Sequence, residues 1–435
     1  MTDAASETPE ILPPGTFAGG DEEAAPAAPP SRRQFLQKTG AVVAGAALAD
    51  AADSPRHAYP VDTAPRKIRI GVVGGSFGTS FQWHEHPDCV VEAVSDLRAD
   101  RREILMRAYG CAKSYNSLEE LVRDKNIDAV AVFTDGPLHV QHVEECMRHG
   151  KHAISAVPAA MATLDECHRL KDAVETYGLT YMMAETSYYQ QVTISARKFY
   201  REGKFGELYA SESEYQHAGL EALYLTDGRR NWRWGMAPMH YPTHCTAHLI
   251  AVTGERLTDV VCYGWGNDEA PCKDNIYGNP FWNETAMFKT DRGHPFRVHI
   301  WWKGAHRGGE QARWIGTKMS FYGPHSNGLG PLIVRVGNQT EKDDAGFERA
   351  LPNFEPYDPP KWCATDMLPE PLRHDSGHEG SHTFLTHEFI DALTHDRRPA
   401  VDVHEALAYT APGIVAHESA LRGGESMKIP SFDKG

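Results

Sequence analysis

The feature that most narrows the fold is an ordered series that begins at Lys67. Lys67-Ile68-Arg69-Ile70-Gly71-Val72-Val73 is apolar, of strand length, and reads as a buried first strand. Gly74-Gly75-Ser76-Phe77-Gly78-Thr79 follows as a tight turn, which predicts entry into a helix. Val90-Val91-Glu92-Ala93-Val94-Ser95-Asp96 reads as a second strand ending in an acid. A glycine-rich turn after a first strand lets backbone approach a pyrophosphate at a helix N-terminus. The acid closing the second strand can accept hydrogen bonds from the adenosine ribose. Counted from Gly74, Ser76 and Thr79 replace the second and third glycines of the usual GxGxxG turn. Strand, turn, strand and acid in this order still predict a dinucleotide-binding unit. Arg98, Arg101 and Arg102 could instead meet a 2′-phosphate, but an acid at 96 repels that group, so NAD is expected over NADP.

The pattern continues. Asp128 to Phe133 is another buried strand, with Thr134 to His139 as its C-terminal loop and Val143 to His149 as a helix. Lys151 to Ser155 is a further strand, ending at Ala156-Val157-Pro158-Ala159-Ala160, and Thr180 to Ala184 delivers Glu185 and Thr186. These loops share the carboxyl edge of a parallel sheet, where open α/β folds bind ligands. Residues 66–185 are therefore expected to form a doubly wound α/β domain. The cofactor candidates are Gly74, Ser76, Phe77, Gly78, Asp96, Thr134, His139, Val157, Pro158 and Thr186.

Composition excludes other classes. Lys and Arg number 44 against 59 Asp and Glu, a net charge of −15, so the basic footprint of a nucleic-acid binder is missing. The eight cysteines contain no CxxC pair and are expected to be buried thiols. Residues 1–30, rich in Ala, Pro, Glu and Gly, have disordered composition. Ser31-Arg32-Arg33-Gln34-Phe35-Leu36 then precedes a short Ala-rich run, and residues 31–52 resemble a Tat export signal. That run is too short to span a bilayer. The expectation is passage through the Tat translocase to the periplasm, folded and with its cofactor acquired beforehand.

Taken together, the strand, Gly turn, Thr134-x-x-x-x-His139, Gly150-Lys151-His152 and x-x-Pro158 resemble the Gfo/Idh/MocA oxidoreductase family from residue 66 to the end. Ordinary family dehydrogenases carry Glu-Lys-Pro at the x-x-P motif and an Asp four residues before a His. This chain has Ala156-Val157-Pro158, and His240 four before His244. Both departures, with Val157 to Ala160, Met182 to Glu185, Tyr215-x-His217 and Tyr241-Pro242-Thr243-His244, resemble the NAD-dependent glycoside hydrolase family 109 branch. Ala156 and Thr186 depart from that branch, which has Glu and Asn there. The resemblance implies a second, α+β domain over 186–375 around a large open sheet, commonly an oligomer interface, so a homo-oligomer is expected. Helices at Ser381 to Leu393 and Val403 to Leu421 are expected to be amphipathic and to pack back on the core within 376–435.

The chemistry follows from the residue types. Hydride transfer from a carbinol needs a base for the hydroxyl proton, and a His with a partner suits that task. His244, flanked in sequence by Tyr241 and His240, fits it. Oxidising a sugar at C3 acidifies the C2 proton. A tyrosinate or His removes it, the group at C1 leaves, water adds, and the hydride returns. The catalytic candidates are Tyr215, His217, Tyr241, His244 and Glu185. The competing expectation is a sugar or glycoside dehydrogenase that releases a keto-sugar. Arg229, Trp232 and Arg233, with Tyr241 to His244, are candidate carbohydrate contacts. His374, His378, His382 and His387 read as a solvated loop entering a helix, because no carboxylate or Cys set completes a metal pattern.

Overall fold

The computed structural model describes residues 66–217, 219–305, 309–325 and 328–434. The Ala-Pro-rich start and the twin-arginine segment lie outside the described residues. Six short strands form the first sheet: β1 (Ile68–Val73), β2 (Cys89–Ser95), β3 (Ser114–Tyr115), β4 (Ala129–Val132), β5 (His152–Ser155) and β6 (Tyr181–Met183). Their order is β3-β2-β1-β4-β5-β6 and every pairing is parallel. This is the doubly wound order with its switch point between β1 and β4. The strands read as unbroken apolar runs because both faces are covered: all four residues of β4 are fully buried.

The expected helix after the glycine turn is absent. Two single-turn 3₁₀ segments, Phe77–Ser80 and Trp83–Glu85, connect β1 to β2. Aromatic packing explains the difference. Phe81 stacks on Phe133 at 4.4 Å and on His382 at 4.7 Å, and Trp83 meets Phe389 edge-on. His382 and Phe389 belong to the helix Ser381–Thr394, which packs on this link and against β1. That helix is expected to be amphipathic but is buried from Ser381 to Ala392. Its other side stacks Phe384 on Tyr189. The expectation of a solvated histidine loop is corrected with it: His382 and His387 are buried, His382 Nδ1 lies 2.9 Å from the Ser80 carbonyl, and His387 pairs with His86.

The second sheet is built from β7 (Leu208–Gln216), β10 (Leu257–Trp265), β11 (Asn283–Thr290), β12 (Pro295–Trp301), β13 (Gly309–Gly316), β14 (Met319–Tyr322), β15 (Leu332–Lys342), β16 (Glu348–Pro356) and β17 (Met427–Lys428). A small hairpin, β8 (Leu225–Thr226) with β9 (Arg229–Arg230), stands apart. The nine-stranded order is β16-β15-β14-β13-β7-β12-β11-β10-β17, antiparallel except for β7 beside β12. Period-two alternation sets its faces: Phe296, Val298 and Ile300 are buried, while Arg297 and His299 lie on the opposite side. The inner face packs on the helices Thr243–Thr253 and Val403–Leu421. The latter also reaches the first sheet, and just before it the Met183 N–H donates to the Val401 carbonyl at 3.0 Å. All eight cysteines are buried and unpaired, as their spacing suggests.

Candidate active site

The carboxyl edge of the parallel sheet opens into two connected hollows. One is lined by Val73, Ser95, Asp96, Leu97, Leu138 and His142, and lies where β2 ends. The other, an open cleft, is lined by Ser76, Phe77, His139, Val157 and Thr186 on the first-sheet side. Tyr215, His217, Trp232, Arg233, Tyr241 and His244 close it from the second domain. Thr134 and Asp135 border both hollows, so they form one trough.

Asp96 does two things at the trough's outer end. It lines the hollow, and its buried carboxylate accepts the Gly75 N–H at 2.7 Å and the Arg98 N–H at 2.8 Å. The acid therefore braces the glycine turn as well as facing the hollow. Gly74 is needed for the turn itself: its φ is 104°, and an added Cβ would lie 2.1 Å from the Phe133 carbonyl oxygen. Neither Gly74 nor Gly78 lines either hollow. Gly78 is packed behind Phe133, and Pro158 contributes its carbonyl to His139 Nδ1 at 2.8 Å. His139 Nε2 lies 3.0 Å from the Thr134 carbonyl, so this buried ring ties the loops after β4 and β5 together. Two of the three arginines past Asp96 are engaged: Arg98 pairs with Asp100 and Asp227, and Arg102 donates to the carbonyls of Asp96 and Leu97, while Arg101 is buried with its Nη1 unpartnered among the described residues.

The trough fits a dinucleotide by its donor set. Ser95 Oγ and Trp232 Nε1 border it, are buried, and have no hydrogen-bond partner among the described residues. Buried polar atoms rarely stay unsatisfied, so both suit a group that occupies the trough.

His244 sits in the first turn of the helix Thr243–Thr253, which is buried almost throughout and ends on Gly254 in the left-handed conformation. Its Nδ1 is 3.0 Å from Glu185 Oε1, 3.2 Å from Ser187 Oγ and 3.7 Å from Glu310 Oε1. With Nδ1 turned to that cluster, the opposite ring edge, carrying Nε2, is the one presented to the cleft. Glu185 lies two residues past β6, is fully buried, and also accepts the Ser187 N–H at 2.8 Å. Burial opposes its charged form. The His244 charge and the hydrogen bonds from His244 and Ser187 outweigh that cost and hold the carboxyl down at about 2. Tyr215 lies 4.8 Å from His244 between ring centroids, Tyr241 5.3 Å from His244, and His217 5.8 Å from Tyr215. The five catalytic candidates therefore stand in one cluster.

Other expected site residues do not line the cleft. Arg229 is exposed on the small hairpin, and its neighbour Arg230 turns instead to Asp274 and the Trp234 ring. Pro242 and Thr243 are buried at the start of the His244 helix, where Pro242 packs against Gly413. They aim the helix and do not face the cleft. His240 flanks His244 in sequence only. Its ring packs 4.7 Å from His417, which reaches Glu284, and burial holds its pKa well below the ordinary value. Arg233 and Trp232 do line the cleft, with the guanidinium 4.2 Å above the indole.

Sequence reasoning missed Glu310, Ser187, Asp135, His378 and Glu379. His378 lines the cleft and packs edge-on against Phe77. His378 and Glu379 both have left-handed backbones, with φ of 49° and 57°, a costly geometry for residues with side chains. Burial and then the Glu310 charge push the Glu379 carboxyl up to about 7. No group of three or more His, Cys, Asp or Glu among the described residues is placed to hold a metal ion.

Comparison with known proteins agrees with this architecture. Residues 68–185 match the family described as "Oxidoreductase family, NAD-binding Rossmann fold", and residues 334–435 match "Glycosyl hydrolase 109, C-terminal domain". The chain thus joins a segment that matches an NAD-binding Rossmann family to a C-terminal segment that matches the glycosyl hydrolase 109 C-terminal domain. Its first domain resembles the Gfo/Idh/MocA oxidoreductases, and the chain is similar to glycosyl hydrolase family 109 proteins over most of its length. A "Glycosyl hydrolase family 109 protein" of Solibacter usitatus is 25% identical, over 93% of this chain and 97% of its own. Another, of Streptomyces coelicolor, is 25% identical over 93% and 94%. Among solved structures, levoglucosan dehydrogenase in complex with NADH superposes with a TM-score of 0.66 at 15% identity, covering 84% of this chain and all of its own (100%). A scyllo-inositol dehydrogenase of Lactobacillus casei with bound NAD(H) and scyllo-inositol gives 0.59 at 15%, covering 83% and 99%. At those identities the likeness is one of fold.

Proposed function

We propose that this protein is an NAD-dependent glycosidase that cleaves its substrate through transient oxidation at C3 of the sugar. The observation that carries the reading is the composition of the cleft. Four ring groups able to move protons, Tyr215, His217, Tyr241 and His244, converge there, and Val157 stands where ordinary family dehydrogenases carry a lysine. The names of the glycosyl hydrolase 109 relatives support the same class of substrate.

Asp96, Ser95, Thr134 and Trp232 would hold the dinucleotide along the trough, and the Asp96 carboxylate, which repels a 2′-phosphate, favours NAD over NADP. When bound, the nicotinamide supplies a hydride acceptor and later a hydride donor. The protein moves the protons. His244 Nε2 takes the proton of the C3 hydroxyl, and Glu185 on Nδ1 supports the charge that forms. Tyr215, with His217 beside it, takes the C2 proton once C3 is a ketone. Tyr241 protonates the departing C1 oxygen. Water then adds at C1, the C2 proton is returned, and the C3 hydroxyl is restored. Substrate and water become free sugar and aglycone, with no net oxidation.

A second reading, a sugar dehydrogenase releasing a keto-sugar, is favoured by Ala156 and Thr186, which depart from the glycoside hydrolase 109 pattern. The test is purification from cells, release of any bound dinucleotide, and assay on chromogenic glycosides without added NAD. Turnover supports the glycosidase. A keto-sugar with its glycosidic bond intact, formed in step with NADH, favours the dehydrogenase. Arg32 and Arg33 support periplasmic export in the folded state. Tyr263, Trp265 and Met287, exposed on the open sheet, support a homo-oligomer.

A further inference from the structure

Glu310 belongs to no sequence motif discussed above. It stands on β13 directly opposite Tyr215 of β7, so sheet register places the two side chains on the same face. Its Oε2 accepts from Ser187 Oγ and Gln190 Nε2, each at 2.5 Å. Its Oε1 is 3.7 Å from His244 Nδ1, the nitrogen that Glu185 meets at 3.0 Å. Two carboxylates from different domains therefore face one imidazole nitrogen, with side-chain exposures of 0% and 12%.

We propose that Glu310 is a positioning residue that joins Glu185 in a two-carboxylate clamp on the Nδ1 edge of His244 and sets how readily that ring holds a proton. The proposal rests on His244 being the acid/base group of the glycosidase reading. One carboxylate is enough to orient an imidazole. A second adds charge, and charge is what this ring needs, because a helix N-terminus disfavours a cation. The Ser187 and Gln190 donors fix Glu310 so that its other oxygen faces the ring.

The surroundings of both groups are ionisable. Glu185, Tyr215, Tyr241 and, one helical turn on, His248 pack about His244. Glu310 is faced by His244, Glu185, His378 and Glu379. Burial raises the proton affinity of Glu310 against the pull of His244 and the Ser187 hydroxyl, and the Glu185 charge adds to the rise. Glu310 is thus the carboxylate of the pair that takes up a proton first as pH falls.

The experiment is a histidine ¹⁵N NMR titration of the holo protein as wild type, Glu310→Gln, Glu310→Asp and Ser187→Ala, beside pH profiles of kcat/KM. Removing an opposite charge at this range lowers an imidazole's proton affinity about tenfold or more. In Glu310→Gln the His244 midpoint should fall by about one pH unit or more. The acid limb of kcat/KM should move the same way, with KM little changed. Glu310→Asp should restore most of the midpoint. Ser187→Ala, which frees one end of Glu310 and also removes the Ser187 Oγ contact with His244 Nδ1, should shift it in the same direction by less and covers the case in which Glu310→Gln does not fold. An unmoved His244 midpoint in a folded, dinucleotide-retaining Glu310→Gln, or in Ser187→Ala if the first does not fold, overturns the proposal. A midpoint that moves in protein without glycosidase activity upholds the clamp and counts against the glycosidase reading instead.

Discussion

Glu185→Gln tests the buried ion pair at the centre of the site. The Glu185 carboxyl is held at about 2 in the folded protein against an ordinary 4.5, a gap of about 2.5 pH units. Its folded-state value is depressed, so its contribution is present above the unfolded value and is lost as pH falls through the folded one. At 1.36 kcal/mol per unit, the full contribution is on the order of 3 kcal/mol. Between about pH 6 and pH 3.5 roughly 1.4 kcal/mol of that should disappear, because only the unfolded chain takes up the proton there. Gln at this position cannot ionise and should lack that component. The assay is urea unfolding followed by tryptophan fluorescence at a series of pH values for wild type and variant. The stability difference should be flat from neutral pH to about pH 5 and then narrow steadily in acid. A difference that stays constant down to about pH 3.5 would refute the assignment of a charged Glu185 paired with His244.

Three further outcomes are expected. His244→Ala should lower turnover on the order of 10²–10⁴-fold while bound dinucleotide, measured by release and absorbance, is unchanged. Asp96→Ala should weaken dinucleotide retention by roughly 1–3 kcal/mol and loosen the Gly75 turn, read by competition dialysis and by amide exchange at Gly75. Phe81→Ala should destabilise the protein by about 3–5 kcal/mol in the same urea assay, because the ring is buried between Phe133 and His382.

The first domain was legible because its strands are buried on both faces. Val130, Ala131 and Val132 announce themselves as an apolar run whatever packs on them. Asp96 was legible for a related reason: an acid ending such a strand has few structural uses. The 3₁₀ link after Gly74 was not, since what packs on it is a helix three hundred residues later. Phe81 carries no local sign that His382 will stack on it. The His244 cluster was visible through Tyr241-Pro242-Thr243-His244, yet the motif overreached. Pro242 and Thr243 shape the helix, and His240 packs on His417 and Tyr277 instead of the cleft. Glu310 was invisible because its role comes from strand register: nothing in Gly309-Glu310-Gln311 distinguishes it from a solvated edge until β13 lies against β7.

The most direct test of the glycosidase account is the fate of the C2 hydrogen. Glycoside is turned over by the purified holo protein in deuterated water, with no dinucleotide added, and the released sugar is examined by mass spectrometry and NMR. Transient oxidation at C3 with proton removal at C2 predicts deuterium at C2 of the free sugar and none at C3. Released sugar with ordinary hydrogen at C2 would mean direct displacement at C1 and would contradict the account.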